Sequence, residues 1–124
     1  MLRQSVGLIL VLSTLAMAVQ SAEREVSFQE DVMPILQAKC LGCHSPDTEG
    51  AVKSGLLMNT YENLMKGTKY GPVIEPGSSL NSVFIQVIEG RVDKSIAMPY
   101  HEIPLSENSI EILKTWVNQG AKNN

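Results

Sequence analysis

The pentapeptide Cys40-Leu41-Gly42-Cys43-His44 holds the residues of this chain that are best suited to chemistry. It contains both cysteines of the chain and one of its two histidines. Two thiols at this spacing can form thioethers with the vinyl groups of one haem, and the histidine that follows offers a nitrogen to the iron. The sequence therefore predicts one covalent haem c, attached through Cys40 and Cys43, with His44 as an iron ligand.

Two other kinds of site fit these residues less well. A redox-active dithiol of the thioredoxin type needs a strand-helix-strand context, which the sequence does not predict, and a disulfide between Cys40 and Cys43 closes too small a loop to stabilise the fold. A structural zinc site needs two further ligands at short spacing, and the only other histidine is His101.

The second axial ligand of the iron is predicted to be Met98. Met98-Pro99 lies in a non-helical stretch, far enough beyond His44 for the chain to reach the opposite face of a haem. A thioether ligand there raises the reduction potential and closes the iron to other ligands. The remaining candidates are better explained by core packing, by a position on the attachment helix or by a solvated loop, and they are Met58, Met65, Met33 and His101.

Short helices must position these residues. Ser27 and Glu30 form a capping box for a first helix that leads to Cys40, and Pro34 predicts either a kink or a helix start close to Asp31. A second helix is predicted from Thr60 to Lys66, with Leu64 and Met65 facing inward and Gly67 at its end.

Two longer amphipathic helices follow. The first is capped by Ser78 or Ser79, ends at Gly90 and has an inward stripe of Leu80, Val83, Phe84, Val87 and Ile88. The second runs from Glu107 to Asn118 behind a Ser106 cap, with an inward face of Ile110, Leu113, Trp116 and Val117. No segment shows the alternating pattern of a strand.

The N-terminal residues are typical of a secretory signal peptide. Arg3 precedes an apolar run over residues 6–19, small residues follow, and charges resume at Glu23. We expect residues 1–22 to be the signal peptide, with cleavage near 18–22, and residues 23–124 to form one domain. An uncleaved anchor is the alternative, but the run falls short of the ~20 apolar residues that span a bilayer. The expected location is the periplasm, without stable membrane insertion.

Composition limits the possible partners. The chain has 124 residues, 10 Lys+Arg, 13 Asp+Glu and 5% aromatic residues, so nucleic-acid binding has no support. Its net charge of −3 becomes −4 without Arg3 and favours a redox partner with a basic docking surface. Four basic side chains could gather at the haem rim or lie scattered over the surface, and they are Lys66, Lys69, Arg91 and Lys94.

Three motifs together resemble a small class I monohaem cytochrome c. They are the Cys40-Leu41-Gly42-Cys43-His44 site, the Met98-Pro99 loop and the segment Leu113-Lys114-Thr115-Trp116-Val117-Asn118-Gln119-Gly120-Ala121. The segments Gly55-Leu56-Leu57-Met58 and Pro76-Gly77 are similar to the planctomycete-type branch of this family. Members of that branch often carry a second glycine before the Gly-Leu turn, where this chain has Lys53-Ser54.

The resemblance implies an all-α cytochrome c-like fold of four or so short helices around one haem, with the first and last helices crossing. It implies that His44 is the proximal ligand, Met98 the distal ligand, and Cys40 and Cys43 the thioether anchors. The implied function is an exported carrier of single electrons between a donor and an acceptor redox protein, not an enzyme. The alternatives are a haem-based binder or sensor of small ligands, a small peroxidase that uses His101, and the electron-transfer subunit of a larger oxidoreductase.

Overall fold

The fold is helical, as the sequence predicts. The computed structural model describes residues 23–124, so the predicted signal peptide lies outside the described residues. A π-helical turn, Phe28–Val32, leads into five helices: α1 Met33–Lys39, α2 Glu49–Ser54, α3 Tyr61–Lys66, α4 Val83–Ile88 and α5 Glu107–Asn118. Within residues 23–124 there is no strand, and the β-pairing is one isolated bridge between Thr68 and Gly71. No helix in this range has the length and apolarity needed to cross a membrane.

The first helix begins at the predicted Ser27 cap, but the carboxylate that bonds to Ser27 is that of Asp31 and not that of Glu30. The Ser27 hydroxyl accepts a hydrogen bond from the Glu30 backbone N–H at 3.1 Å. The Ser27 N–H donates to the Asp31 carboxylate at 2.8 Å, so the prediction that Glu30 makes the return contact is wrong. Pro34 lies in the first turn of α1, directly after the π-helical turn, so the change from π- to α-helical geometry falls where the proline N–H is missing.

Helices α3 and α5 confirm their predictions. Thr60 caps α3, Gly67 ends it with a φ of 82°, and Leu64 is buried beneath it. Ser106 caps α5 by accepting from Ser109 N–H at 3.2 Å. The buried residues of α5 are Leu113, Trp116 and Val117.

The region before α4 differs from the prediction. The helix begins at Val83, behind Ser82, and Leu80 precedes it with 70% of its surface exposed. The predicted inward position of Leu80 is therefore wrong, and so is that of Val83, which has 47% of its surface exposed. The residues from Ser78 to Asn81 form turns, and the Ser82 hydroxyl bonds to backbone atoms of Glu75 and Ser78. The apolar spacing in the sequence therefore begins one turn before the helix does.

Helix α2 is an element that the sequence reading missed. It is six residues long and ends at Gly55, whose φ of 77° is left-handed. Its buried residue is Ala51 alone, which leaves no amphipathic stripe to detect.

The core joins the two ends of the described chain. Phe28 and Trp116 have ring centroids 5.5 Å apart, and Tyr61 meets Phe28 edge to face at 5.2 Å. The Tyr61 hydroxyl also donates to the Ala121 carbonyl at 2.8 Å. The first and last helices therefore pack against each other through aromatic side chains, as the resemblance implies.

Candidate haem site

The attachment segment is a tight turn at the end of α1. Cys40 N–H donates to the Leu36 carbonyl at 2.8 Å, which continues the helix by one residue. The Cys40 carbonyl then accepts from both Cys43 N–H at 3.1 Å and His44 N–H at 2.9 Å. This turn leaves Cys43 exposed, Cys40 half-buried and His44 buried, with 8% of its surface accessible.

Helix α2 and the residue that precedes it bond to the backbone of Cys43. The Cys43 carbonyl accepts hydrogen bonds from Ala51 N–H at 2.9 Å and from the Thr48 hydroxyl at 2.6 Å. A Cβ atom on Gly50 would lie 2.5 Å from the same carbonyl oxygen. The close packing of α2 on Cys43 therefore depends on the absence of a side chain at Gly50.

The His44 imidazole is oriented by a backbone carbonyl. Its Nδ1 lies 3.1 Å from the Leu56 carbonyl oxygen, the distance of an N–H donating to that carbonyl. The opposite nitrogen, Nε2, then carries the lone pair that a metal requires. The Met58 N–H donates to the His44 carbonyl at 2.8 Å, so the 56–58 segment holds both the backbone and the ring of His44.

The four predicted site residues line one cavity. Its volume is about 520 Å³, within the range of about 300–1,000 Å³ typical of small-molecule and cofactor sites. Besides Cys40, Cys43, His44 and Met98, its apolar walls come from Leu56, Met58, Val73, Val83, Phe84, Val87, Ile88, Pro99 and Leu105. Met98 is tied to α4 by a hydrogen bond from its N–H to the Val87 carbonyl at 2.9 Å.

The residues present fit a haem. Two thiols line the cavity, a buried imidazole has its Nδ1 already bonded, and most of the remaining walls are apolar like a porphyrin. Met58 also lines the cavity, and its own backbone is bonded to His44. Met33, Met65 and His101 are absent from the described lining, and His101 is exposed beside the Tyr100 ring.

Burial makes one of the two thiols a weaker acid. Burial raises the pKa of Cys40 to about 11, and the neighbouring Cys43 adds to the rise. The free Cys40 thiol is therefore protonated at neutral pH, which suits a side chain that lies in an apolar cavity.

The charged residues at the cavity differ from the four that the sequence singled out. The charged lining residues are Lys39, Glu49, Lys53 and Glu102, and none of them belongs to the predicted set. Arg91 pairs with Glu89 at 2.5 Å and lines a separate surface cleft. None of the four basic residues lines the cavity, which favours the alternative that they lie scattered over the surface. The cations of the lining come from the end of α1 and from the unpredicted α2.

Comparison with known proteins places these residues in a family. The family model described as Planctomycete cytochrome C matches residues 40–101, half of the chain, from the first cysteine through the Met98 loop. No curated protein and no solved structure matches the chain.

Proposed function

The chain belongs to the planctomycete cytochrome C family, whose domains serve haem-based electron transfer, and we propose that it is an exported monohaem carrier of single electrons. The observation that supports this most directly is the single apolar cavity that Cys40, Cys43, His44 and Met98 share. A second covalent haem would need further cysteines, and the chain has two in total.

Each residue has a distinct role in this proposal. Cys40 and Cys43 would hold the haem through thioether bonds, and His44 would offer Nε2 to the iron while the Leu56 carbonyl holds its other nitrogen. Met98, on a loop held to α4 through Val87, would supply a thioether sulfur as the second protein ligand. When bound, the haem supplies an iron that gains and loses single electrons.

The protein contributes by positioning and by excluding water. The apolar walls keep water from the iron, and two fixed ligands limit the rearrangement that accompanies a change of charge. No side chain has to form or break a bond with a substrate. The proposed partners are a donor and an acceptor redox protein that approach the cavity mouth, where Cys43 and Tyr100 are exposed.

Optical spectra test the coordination directly. We expect the holoprotein to show a low-spin c-type spectrum that carbon monoxide does not change, because Met98 and His44 would both bind the iron. Met98→Ala should bind carbon monoxide in the reduced state. Met65→Ala is the matched control, because Met65 is half-buried outside the cavity lining, and it should behave like the parent.

Other results would redirect the proposal. If the parent binds carbon monoxide readily, the iron is open and a ligand-binding role replaces electron transfer. If Met58→Ala rather than Met98→Ala opens the iron, the axial ligand is Met58. If a host competent in cytochrome maturation attaches no haem, the proposal fails at Cys40 and Cys43.

Export is a separate part of the proposal, supported by the sequence of residues 1–22. Mass spectrometry of the protein recovered from a periplasmic fraction should give a mature N-terminus between residues 19 and 23 plus the mass of one haem. A full-length chain in the membrane fraction would contradict this part and leave the haem chemistry intact.

A further inference from the structure

A short chain of hydrogen bonds connects Ser54 to the proposed iron ligand. The Ser54 hydroxyl donates to the Gly50 carbonyl at 2.6 Å and accepts from the Leu56 N–H at 3.0 Å. The Leu56 carbonyl, in turn, lies 3.1 Å from Nδ1 of His44. The Ser54 hydroxyl therefore bonds to the same residue, Leu56, whose carbonyl orients the His44 imidazole.

We propose that Ser54 is a positioning residue for His44, acting through Leu56, and that its hydroxyl helps to set the reduction potential of the site. This inference rests on the proposed function, because it takes His44 as the iron ligand. A ligating histidine that donates a stronger hydrogen bond through its other nitrogen is a better electron donor to the metal. Better donation stabilises the oxidised iron and lowers the reduction potential.

The surrounding backbone explains why this hydroxyl matters. Gly55 leaves the helix with a left-handed φ of 77°, and its N–H closes α2 on the Ala51 carbonyl at 2.7 Å. The chain then passes directly into Leu56. Within residues 23–124 the Leu56 N–H has no hydrogen-bond partner other than the Ser54 hydroxyl.

Ser54 itself is fixed in place from both sides. Its carbonyl accepts a hydrogen bond from Lys69 N–H at 3.0 Å, and its hydroxyl is anchored to Gly50 one turn earlier in α2. Leu56 is buried, with 7% of its surface exposed, so water cannot easily replace the hydroxyl. The Leu56 N–H belongs to the Gly55–Leu56 peptide and the carbonyl that faces Nδ1 belongs to the next peptide, Leu56–Leu57. Loss of the hydroxyl therefore releases the first peptide and lets the backbone torsions of Leu56 change, which shifts the second peptide and weakens the contact between its carbonyl and Nδ1.

The test compares Ser54→Ala and Ser54→Thr in the holoprotein. We expect Ser54→Ala to shift the redox equilibrium two- to threefold towards the reduced state. At 59 mV per tenfold for one electron, this raises the reduction potential by about 18–28 mV. The proton on Nδ1 of His44, observed by NMR in the reduced state, should move upfield as its hydrogen bond weakens. Ser54→Thr keeps the hydroxyl and should restore both values.

A remote variant separates positioning from helix stability. Ser106→Ala removes a comparable hydroxyl contact at the start of α5, away from the cavity lining. It should lower the melting temperature without moving the potential or the Nδ1 proton. If Ser54→Ala does the same, Ser54 only stabilises the end of α2 and the proposal is overturned.

A second pair of variants tests the proposal even if Ser54→Ala folds poorly. Ser54→Thr and Ser54→Val have the same shape and differ in the hydroxyl, so equal potentials in these two proteins would also overturn the proposal. In that event every variant still shows a low-spin spectrum with His44 on the iron. Failure of the proposed function looks different, because the parent itself then lacks that spectrum.

Discussion

At the scale of single residues, Gly50 shows two physical effects in opposition. Alanine is favoured over glycine by roughly 0.5–1 kcal/mol in the middle of a helix, and this is an upper limit for Gly50, the second residue of α2. At this position the new Cβ would lie 2.5 Å from the Cys43 carbonyl oxygen and 3.2 Å from the Cys43 Cβ. The contact is with backbone, which cannot turn away like a flexible side chain, so the steric cost exceeds the gain in helix propensity.

We therefore expect Gly50→Ala to destabilise the holoprotein by about 1–3 kcal/mol, the range for overpacked sites. The displaced Cys43 should also lower the yield of attached haem in cells. Gly42→Ala is the matched control, because a Cβ there meets no atom of this chain within 4 Å, and its stability should stay within about 0.5 kcal/mol of the parent. Urea unfolding followed by Trp116 fluorescence measures both proteins, and equal midpoints would contradict the steric argument.

At the scale of elements, the segment before α1 is held by contacts with both ends of the fold. The Gln119 side chain bonds to the backbone of Arg24 and Val26, and the Asn124 side chain bonds to the backbone of Val26 and Phe28. Each of these two side-chain amides bonds to one backbone N–H and one backbone carbonyl of the segment, as the backbone of a neighbouring strand would. Arg24 adds a two-pronged contact with Asp31, at 2.8 and 3.1 Å.

The Asp31 contacts predict a pH dependence. The hydrogen bond from Arg24, followed by that from Ser27 N–H, holds the pKa of Asp31 below its ordinary value. A carboxyl group of this kind stabilises the fold fully above the pKa that it has in the unfolded chain, near 4, and loses this effect as pH falls through its folded value. Asp31→Asn should therefore lower the urea midpoint at pH 7 and match the parent in strongly acidic solution.

Glu30→Gln is the control for this prediction. Glu30 is exposed on the same helical turn and takes part in no ion pair within residues 23–124. Its urea midpoint should follow that of the parent at both pH values. A difference between Asp31→Asn and the parent that persists unchanged into acid would show that the Asp31 charge is not its cause.

Ser82 tests the turn that precedes α4. Its side chain is buried, accepts from Glu75 N–H at 2.8 Å and donates to the Ser78 carbonyl at 2.7 Å. Ser82→Ala removes both of these hydrogen bonds from a side chain that is 1% exposed, so we expect a loss of about 1–3 kcal/mol in the free energy of unfolding. Ser78→Ala removes an exposed contact to Asn81 N–H and should cost less than about 1 kcal/mol. Similar losses for both variants in chemical unfolding would contradict the role of burial.

The elements that could be predicted from sequence are those whose ends and faces carry local signals. Helices α3 and α5 have a hydroxyl cap and a glycine near the end, and the buried residues of α5 recur at helical spacing. Leu80 continued the apolar spacing of α4, but the turn around Ser82 overrides that pattern with side-chain hydrogen bonds. Helix α2 presents only Ala51 inward, so periodicity could not reveal it.

The residues of the candidate site also differ in whether the sequence could predict them. Cys40, Cys43 and His44 could be predicted because their chemistry depends on spacing along the chain. The Leu56 carbonyl could not, because every residue has a carbonyl and only the fold brings this one to His44. Sequence also drew attention to Lys53-Ser54 without giving it a role, since the hydrogen bonds of Ser54 depend on the unpredicted helix α2.

At the scale of the whole molecule, the cavity wall and the hydrophobic core share residues. Six residues belong to both, and they are Leu56, Met58, Val73, Phe84, Ile88 and Leu105. A small domain buries a limited fraction of its surface, so it depends strongly on anything that fills such a space. We therefore expect the haem to contribute to folding as well as to redox chemistry.

Removal of the thioether bonds tests this expectation. At about 24 cal/mol per Å³, an empty closed cavity of 520 Å³ would cost on the order of 10 kcal/mol, comparable with the 5–15 kcal/mol that stabilise typical domains. The cavity opens to solvent, so this figure is an upper limit, and the cost falls on the six core residues that lose a packing partner. We expect Cys40→Ser/Cys43→Ser, stripped of haem, to lose its near-UV circular dichroism and its cooperative melting transition.

The single variants Cys40→Ser and Cys43→Ser make the comparison quantitative, because each keeps one thioether and can hold the haem in the cavity. Both should melt cooperatively below the parent and well above the haem-free double variant. Adding free haem to the double variant should restore part of the transition, since filling the cavity stabilises the folded state even without covalent attachment. A haem-free protein that melts cooperatively within a few degrees of the holoprotein would show that the helices build a sufficient core by themselves and that the cavity is only a binding site.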